Sequence, residues 1–141
     1  MTRAEFRFVA KLVVVLATVT VVVLVVTRTA GRPYVVAGRS MEPTLQAGDR
    51  VIVDLRAFRE RAPERGDVVL IRTEDGAELI KRVSGTNEDR HRPGEPERIW
   101  VVGDNPDASL DSRDIGPLLR NRIVGRVTLR YWPPSRAGPI E

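Results

Sequence analysis

The chain has 141 residues, a net charge of +4, a pI near 10.3 and no cysteine. This length allows one compact domain with a single small core. The lack of cysteine excludes disulfides, thiolate nucleophiles and sulfur-ligated zinc. The basic residues are scattered among the acidic ones, with no basic helix and little aromatic interleaving. The charge therefore favours a solvated surface near anionic lipid headgroups over a nucleic-acid interface.

An apolar run near the N-terminus extends from Phe8 to Thr27 and is interrupted only by Lys11. A helix of that length spans ~30 Å, so the run predicts a transmembrane anchor within residues 1–32. Arg3 and Arg7, together with Lys11, predict a cytoplasmic N-terminus. The expected topology is a single pass through the cell membrane, with the lipid bilayer as a partner and the remaining domain on the extracytoplasmic side.

A cleaved secretory signal peptide is the alternative interpretation of this run. Its charge-free part, from Leu12 to Val26, is only 15 residues long, which is typical of a signal peptide. The residues that follow fit cleavage poorly, because a cut after Ala30 would place Arg28 at the third position before it, where a small residue is needed. An uncleaved anchor is therefore favoured.

The rest of the chain is a series of short strand patterns separated by turns. The "EDG" between "VVLIRT" and "AELIKRVSG" is a hairpin signal, and "RPYVVAG", "DRVIVDL", "RIWVVGDN" and "RIVGRVTLRYW" provide further strands. Six or so strands without a convincing helix predict a mainly β fold, a small domain of short antiparallel strands over residues 33–132. Residues 133–141 are expected to form an irregular C-terminal tail.

Ser40 is the first candidate for chemistry. It lies in "GRSMEPT", between Gly38, which permits an unusual backbone, and Pro43, which restricts it. A serine hydroxyl is a weak nucleophile at neutral pH and needs a base within hydrogen-bond reach. His91, the only histidine, lies between two arginines in a polar loop, which is typical of a surface histidine and makes a Ser-His-Asp triad improbable.

Lys81 is the candidate base. Of 23 basic residues 21 are arginine, and Lys81 is the only lysine outside the apolar run. Period-two alternation places it on one face with Leu79 and Val83. A lysine desolvated among apolar neighbours can become a neutral amine, whereas arginine stays charged. A strand-edge lysine that reaches solvent is the alternative, but Ser40 has no other base, so a Ser-Lys dyad is the leading hypothesis.

Three segments carry a resemblance to a known family. They are "GRSMEPTLQAGDRVIV" around Ser40, "RGDVVLIR" with "LIKRVSG" around Lys81, and "VVGDNPDASLDSRDIGPL". In this order they resemble the serine box, the lysine box and the Gly-Asp-Asn box of the type I signal peptidases, which are membrane-anchored serine proteases with a Ser-Lys dyad. The joint occurrence of three segments is far more specific than any single match.

The resemblance implies a role for each of nine residues. Ser40 would be the nucleophile, with its own N–H in the oxyanion hole, and Lys81 the general base. The supporting residues would be Ser109, which holds the lysine amine; Asp111 and Arg113, which pair; Asp104 and Asn105, which brace their turn; Met41, which packs beneath the dyad near a small-residue pocket; and Gly38, which stands where some members have a hydroxyl donor.

The chain also departs from the family pattern. Only 21 residues separate Lys81 from Gly103, too few for the large accessory domain of many members, so the resemblance is to a short form. Pro106 replaces the arginine that commonly follows Gly-Asp-Asn, and "SGTNED" replaces the usual turn after the lysine box. These changes bear on substrate range more than on the chemistry.

The function that the resemblance implies is removal of signal peptides from secreted precursor proteins by a membrane-anchored serine endopeptidase. The mechanism would pass through an acyl-enzyme and need no metal or cofactor. A narrow maturation protease is the alternative enzyme, because short members with a similar closing "LRYWP" include proteases proposed to process nickel-type superoxide dismutase precursors. A non-catalytic β module that binds a membrane partner and a self-cleaving repressor are the alternatives from other classes.

Overall fold

The computed structural model describes residues 3–28, 31–87 and 94–141. The chain divides into two compact units, Met1–Ala30 and Gly31–Glu141. His91 and most of its polar loop lie outside the described residues.

The described residues of the first unit form the helix α1 (Arg3–Arg28). The described side chains of residues 7–21 are exposed, and the hydroxyls of Thr18 and Thr20 donate to backbone carbonyls four residues earlier, at 2.9 and 2.8 Å. These bonds satisfy the polar atoms of a helix that is rich in β-branched residues.

The predicted transmembrane anchor is corrected by the structure. Among the described residues, no helix combines the length and the apolar character needed to cross a membrane. The charge at Lys11 restricts the charge-free run to 15 residues, which correspond to about 22 Å of helix, whereas a hydrocarbon core is about 30 Å thick. The single-pass topology therefore loses its support.

The second unit is mainly β, as the strand patterns predict. Its strands are β1 (Gly31–Val35), β2 (Arg50–Asp54), β3 (Val68–Arg72), β4 (Glu78–Thr86), β5 (Arg98–Val102), β6 (Leu118–Leu119), β7 (Ile123–Trp132) and β8 (Gly138–Pro139). They form an antiparallel sheet in the order β1-β2-β7-β3-β4-β5-β6, with β8 paired to β7. One short helix, α2 (Ser112–Ile115), follows β5.

Strand β3 is buried on both faces, because its apolar run has no polar alternation. Its residues Val68 and Leu70 belong to one apolar cluster, and Val69 and Ile71 belong to a second. The first cluster also contains Val36, Met41, Leu45, Val51, Val53, Ile80, Val127 and Ile140. The second contains Val83, Ile99 and Val101. The sheet is thus the partition between two halves of the core.

The sheet curls so that β1 approaches the beginning of β4, although the two strands are not neighbours in it. The hydroxyl of Tyr34 donates to the backbone carbonyl of Glu78 at 3.0 Å, and Arg32 forms an ion pair with the Glu78 carboxylate. This closure produces a half-barrel whose open side lies between the residues after β1 and the first half of β4.

The last residues, expected to be irregular, pack onto the same sheet. A 3₁₀ turn, Pro134–Arg136, leads into β8. Ile140 is buried, and its N–H donates to the carbonyl of Thr128 at 3.0 Å. The Glu141 carbonyl accepts a hydrogen bond from Arg82 at 2.8 Å.

Gly125 marks the closest approach of β7 to β2. A Cβ at Gly125 would lie 2.9 Å from a methyl group of Val53 and would also meet the Asp54 carbonyl. We expect Gly125→Ala to lower the free energy of unfolding by about 1–3 kcal/mol, because the buried contact must be pushed apart. Gly85→Ala is the matched control, since a Cβ there has open space, and should change it by less than about 0.5 kcal/mol. Equal effects in urea denaturation would contradict this packing.

Candidate active site

Ser40 begins a tight turn between β1 and β2. The turn is closed by backbone hydrogen bonds from Glu42 to Arg39 (3.1 Å) and from Leu45 to Met41 (2.8 Å), and the Glu42–Pro43 peptide bond is cis. Met41 and Leu45 are fully buried, so the turn is anchored in the core. Ser40 is half-buried at its edge, and Gly38 is exposed.

Asp49 fixes the end of this turn. It is not among the site residues predicted from the sequence. It is 1% exposed, accepts the Gln46 N–H at 2.9 Å, and forms ion pairs with Arg130 and Arg136. Arg130 also donates to the Thr44 carbonyl at 2.8 Å. A charge buried this deeply needs such partners, and they come from the C-terminal strand and the turn after it.

A second brace joins the serine turn to the Gly-Asp-Asn turn. The Asn105 N–H donates to the Ser40 carbonyl at 2.9 Å, and the Thr44 hydroxyl donates to Asp104 at 2.6 Å. Arg82 grips Asp104 with two hydrogen bonds of 2.8 Å. Burial alone would raise the pKa of Asp104, but the bonds from Arg82 and Thr44 outweigh it and lower that pKa. The carboxylate is therefore ionised and holds both turns.

Gly103 lies between the serine turn and the segment around Ser109. A Cβ at Gly103 would be 2.5 Å from the Ser40 carbonyl oxygen and 2.6 Å from the Ser109 Cβ. No side chain fits in that space, so glycine is required for the two segments to approach each other.

Lys81 lies on β4 opposite Val69 and is 2% exposed. Val83 is buried as the alternation predicts, but Leu79 is exposed. Lys81 Nζ donates to Ser109 Oγ at 2.8 Å. Burial lowers the pKa of the Lys81 amine; Asp111 opposes this effect and Arg113 adds to it. The amine thus has a smaller tendency to carry a proton than an ordinary lysine.

Ser109 links Lys81 to a buried carboxylate, that of Asp111, by hydrogen bonds. Its hydroxyl donates to Asp111 Oδ2 at 2.7 Å, which also accepts the Gly103 N–H at 2.8 Å. Arg113 donates to both Asp111 oxygens, at 2.8 and 2.6 Å. The hydrogen bonds from Arg113 are the main cause of the lowered pKa of Asp111, and the carboxylate is ionised at neutral pH.

The N-terminus of α2 fixes the position of Asp111. Asp111 is the N-cap residue, and it forms a capping box with Asp114. The Ser112 hydroxyl accepts the Val101 N–H at 2.9 Å, which ties the short helix to β5. The carboxylate therefore cannot move independently of the sheet.

A small cavity of about 70 Å³ lies beside Ser40. It is lined by Tyr34, Val36, Ala37, Gly38, Ser40, Met41, Glu78, Leu79 and Ile80. Its walls are the segment that follows β1 and the beginning of β4. The volume suits a small side chain rather than a large one.

The nine predicted site residues fall into connected groups. Ser40, Asp104 and Asn105 belong to the braced turns, Lys81, Ser109, Asp111 and Arg113 form one hydrogen-bonded chain, and Met41 and Gly38 line the cavity. Sequence reasoning missed Thr44, Asp49, Arg82 and Arg130, whose partners lie far away in the chain. Within the described residues there is no cluster of His, Cys, Asp and Glu that could hold a metal ion.

Comparison with known proteins agrees with this architecture. The model of the family described as "Signal peptidase, peptidase S26" matches residues 9–94 and 92–132. The mitochondrial inner membrane protease subunit 1 of Xenopus tropicalis is 31% identical over 125 residues, which cover 79% of this chain and 75% of that protein. Signal peptidase IB of Staphylococcus aureus (strain Mu50 / ATCC 700699) is 26% identical over 170 residues, which cover 87% of this chain and 89% of that protein.

The fold, the site and these matches define a serine endopeptidase. The chain belongs to the signal peptidase family, peptidase S26.

The stability of the domain should depend on the protonation of Lys81. Its pKa is lowered in the folded state, so the unfolded chain binds more protons between that pKa and 10.5, and stability rises with pH across this window. We expect Lys81→Met to be more stable than wild type near pH 7, and the difference to shrink as the pH approaches 10.5. Urea denaturation at several pH values measures the difference in the free energy of unfolding between the two proteins. A difference that is constant with pH would contradict a lowered pKa of Lys81 in the folded state.

Proposed function

We propose that Ser40 is the nucleophile and Lys81 the general base of a peptidase that removes signal peptides from precursor proteins. The observation that carries the proposal is the environment of Lys81, which is buried in the domain and whose Nζ has Ser109 as its hydrogen-bond partner among the described residues. The Ser40 turn and the Ser109 segment meet at Gly103, which supports contact between nucleophile and base.

The hydrogen-bond directions support a neutral amine with a free lone pair. The Ser109 hydroxyl uses its proton on Asp111, so its oxygen can only accept from Lys81. One N–H of the amine is thereby fixed, and its lone pair is available for the proton of Ser40. Asp111 acts through Ser109 and does not touch Lys81 by a hydrogen bond, so the amine is oriented without gaining a direct ion pair that would keep it charged.

The reaction would begin with attack of Ser40 Oγ on the scissile carbonyl as Lys81 takes the hydroxyl proton. The Ser40 N–H donates to no other described residue, so it would be free to donate to the oxyanion. Lys81 then gives its proton to the leaving amine, and the acyl-enzyme forms. Deprotonated again, Lys81 activates water, and hydrolysis frees Ser40.

The substrate chain would bind as an added strand in the open side of the half-barrel. β4 pairs with β5 only from Arg82 onward, so its first half has an unpaired edge. Among the described strands, β1 has β2 as its one partner. An extended peptide between these edges gains backbone hydrogen bonds without regard to sequence, while the small cavity beside Ser40 favours a small residue before the cleaved bond.

A membrane surface is the proposed place of action. The relative from Xenopus tropicalis is named for the mitochondrial inner membrane, and Trp132 is half exposed, with the Arg50 guanidinium 5.9 Å from its ring. An aromatic side chain beside a cation suits an anionic lipid headgroup region.

Cleavage of a secretory precursor by the purified chain tests the proposal. Wild type should remove the signal peptide, whereas Ser40→Ala and Lys81→Met should reduce the rate by at least about 10²–10⁴-fold, because each lacks one partner of the proton transfer. Arg56→Gln, an exposed substitution in the turn after β2, is the control and should cleave like wild type. Equal cleavage by all four proteins would overturn the assignment of both residues.

Two substitutions around Lys81 should move the pH dependence in opposite directions. Asp111 raises the Lys81 pKa and Arg113 lowers it, and activity needs the neutral amine, so kcat/KM should rise with pH through that pKa. Asp111→Asn should shift this acid limb to lower pH, and Arg113→Gln should shift it to higher pH. The measurement is a pH profile of kcat/KM for a peptide substrate. Shifts in the same direction would contradict the role of Lys81 as the base.

A further inference from the structure

The open side of the half-barrel, between the residues after β1 and the first half of β4, is proposed to hold the substrate and is called the slot below. Side chains close one end of this slot. In β3 and β4 the backbone bonds from Thr73 to Ala77 and from Val83 to Asp67 fix which residues of β4 face β3. Glu78 and Ile80 therefore direct their backbone groups toward the slot. The Glu78 carbonyl accepts a hydrogen bond from the Tyr34 hydroxyl at 3.0 Å, so the tyrosine side chain lies against this end of the β4 edge. A peptide that runs along β4 can form backbone hydrogen bonds with Ile80. At Glu78 it meets the Tyr34 side chain.

The distance from the reacting end to this stop is short. Glu78 precedes Lys81 by three residues, and at ~3.3 Å per residue the edge between them is roughly 10 Å long. It can pair with about three substrate residues before the cleaved bond. The fourth residue reaches the closure between β1 and β4.

The closure carries an excess of positive charge. The Glu78 carboxylate accepts from both Arg32 and Arg72, which lower its pKa. The side chain of Glu78 is 19% exposed, whereas those of Arg32 and Arg72 are 38% and 53% exposed. The anion is covered by its partners, and the cations face solvent at the end of the slot.

We propose that Arg32 and Arg72, held by Glu78 at the end formed by Tyr34, determine specificity at the fourth substrate residue before the cleaved bond and select against a cation there. This inference rests on the proposed function, because it assumes that the acyl side of the substrate lies in the slot. An acidic or neutral residue fits the exposed guanidinium groups. A lysine or arginine is repelled, and this repulsion lowers kcat/KM for such a substrate.

The test compares two peptides that differ only in glutamate or lysine at that position. In low salt, wild type should cleave the glutamate peptide with a kcat/KM about three- to ten-fold higher, a range expected for half-exposed charges. The ratio should fall toward one in Arg72→Gln and in high salt, where such charges are screened. Arg72→Lys should keep most of the ratio. Arg56→Gln removes a cation elsewhere and is the matched control, so it should keep the whole ratio.

The outcomes separate this inference from the proposed function. If wild type cleaves both peptides at one rate in low salt, the proposed function stands and the charge selection is wrong. A ratio that survives Arg72→Gln unchanged would also overturn the selection by this cluster. If wild type cleaves neither peptide, the proposed function itself is contradicted, and the inference falls with it.

Discussion

Burial of the single lysine of the β unit is the constraint on which the rest of the site depends. An ammonium ion in the interior loses its hydration, and this loss favours the neutral amine. Among the described residues, no carboxylate pairs directly with Lys81; the amine has the hydroxyl of Ser109, which is itself bound to Asp111. A carboxylate in contact with the amine would have restored its charge. The intermediate hydroxyl orients the amine and keeps the anion one step away.

Three carboxylates of the site and of its turns have a structural task. Asp49, Asp104 and Asp111 are each held by arginine, and each fixes a turn. Removing one partner from such a buried pair leaves an uncompensated charge, which costs more than the pair itself contributes. Ion pairs therefore fix these turns in addition to the buried side chains of Met41 and Leu45, whereas the strands behind them are fixed by the two apolar clusters.

Part of this organisation could be predicted from the sequence because its signals are local. Strand alternation and the "EDG" turn predict the β3–β4 hairpin, and the scarcity of lysine draws attention to Lys81. The exposure of Leu79 was not predictable, because alternation assigns a face but not what covers it. Arg82 and Arg130 were missed because their partners, Asp104 and Asp49, are 22 and 81 residues away in the chain.

For the apolar N-terminal run, the sequence predicts more than the structure supports. Its composition predicts a membrane-spanning helix, and the structure does contain α1 over that run, but among the described residues no helix meets the requirements for spanning a bilayer. Helix formation depends on local propensity, whereas spanning a bilayer also needs sufficient apolar length.

The most direct measurement is an NMR titration of the lysine side chains. The chain has only two, Lys11 and Lys81, so selective labelling of lysine gives two signals, and Lys81→Met assigns them. The account predicts that the Lys81 signal titrates below the ordinary 10.5, because burial disfavours the ammonium ion, and that its midpoint coincides with the acid limb of kcat/KM in the same buffer. A Lys81 signal that titrates near 10.5, or whose midpoint differs from that limb, would contradict the neutral-amine mechanism.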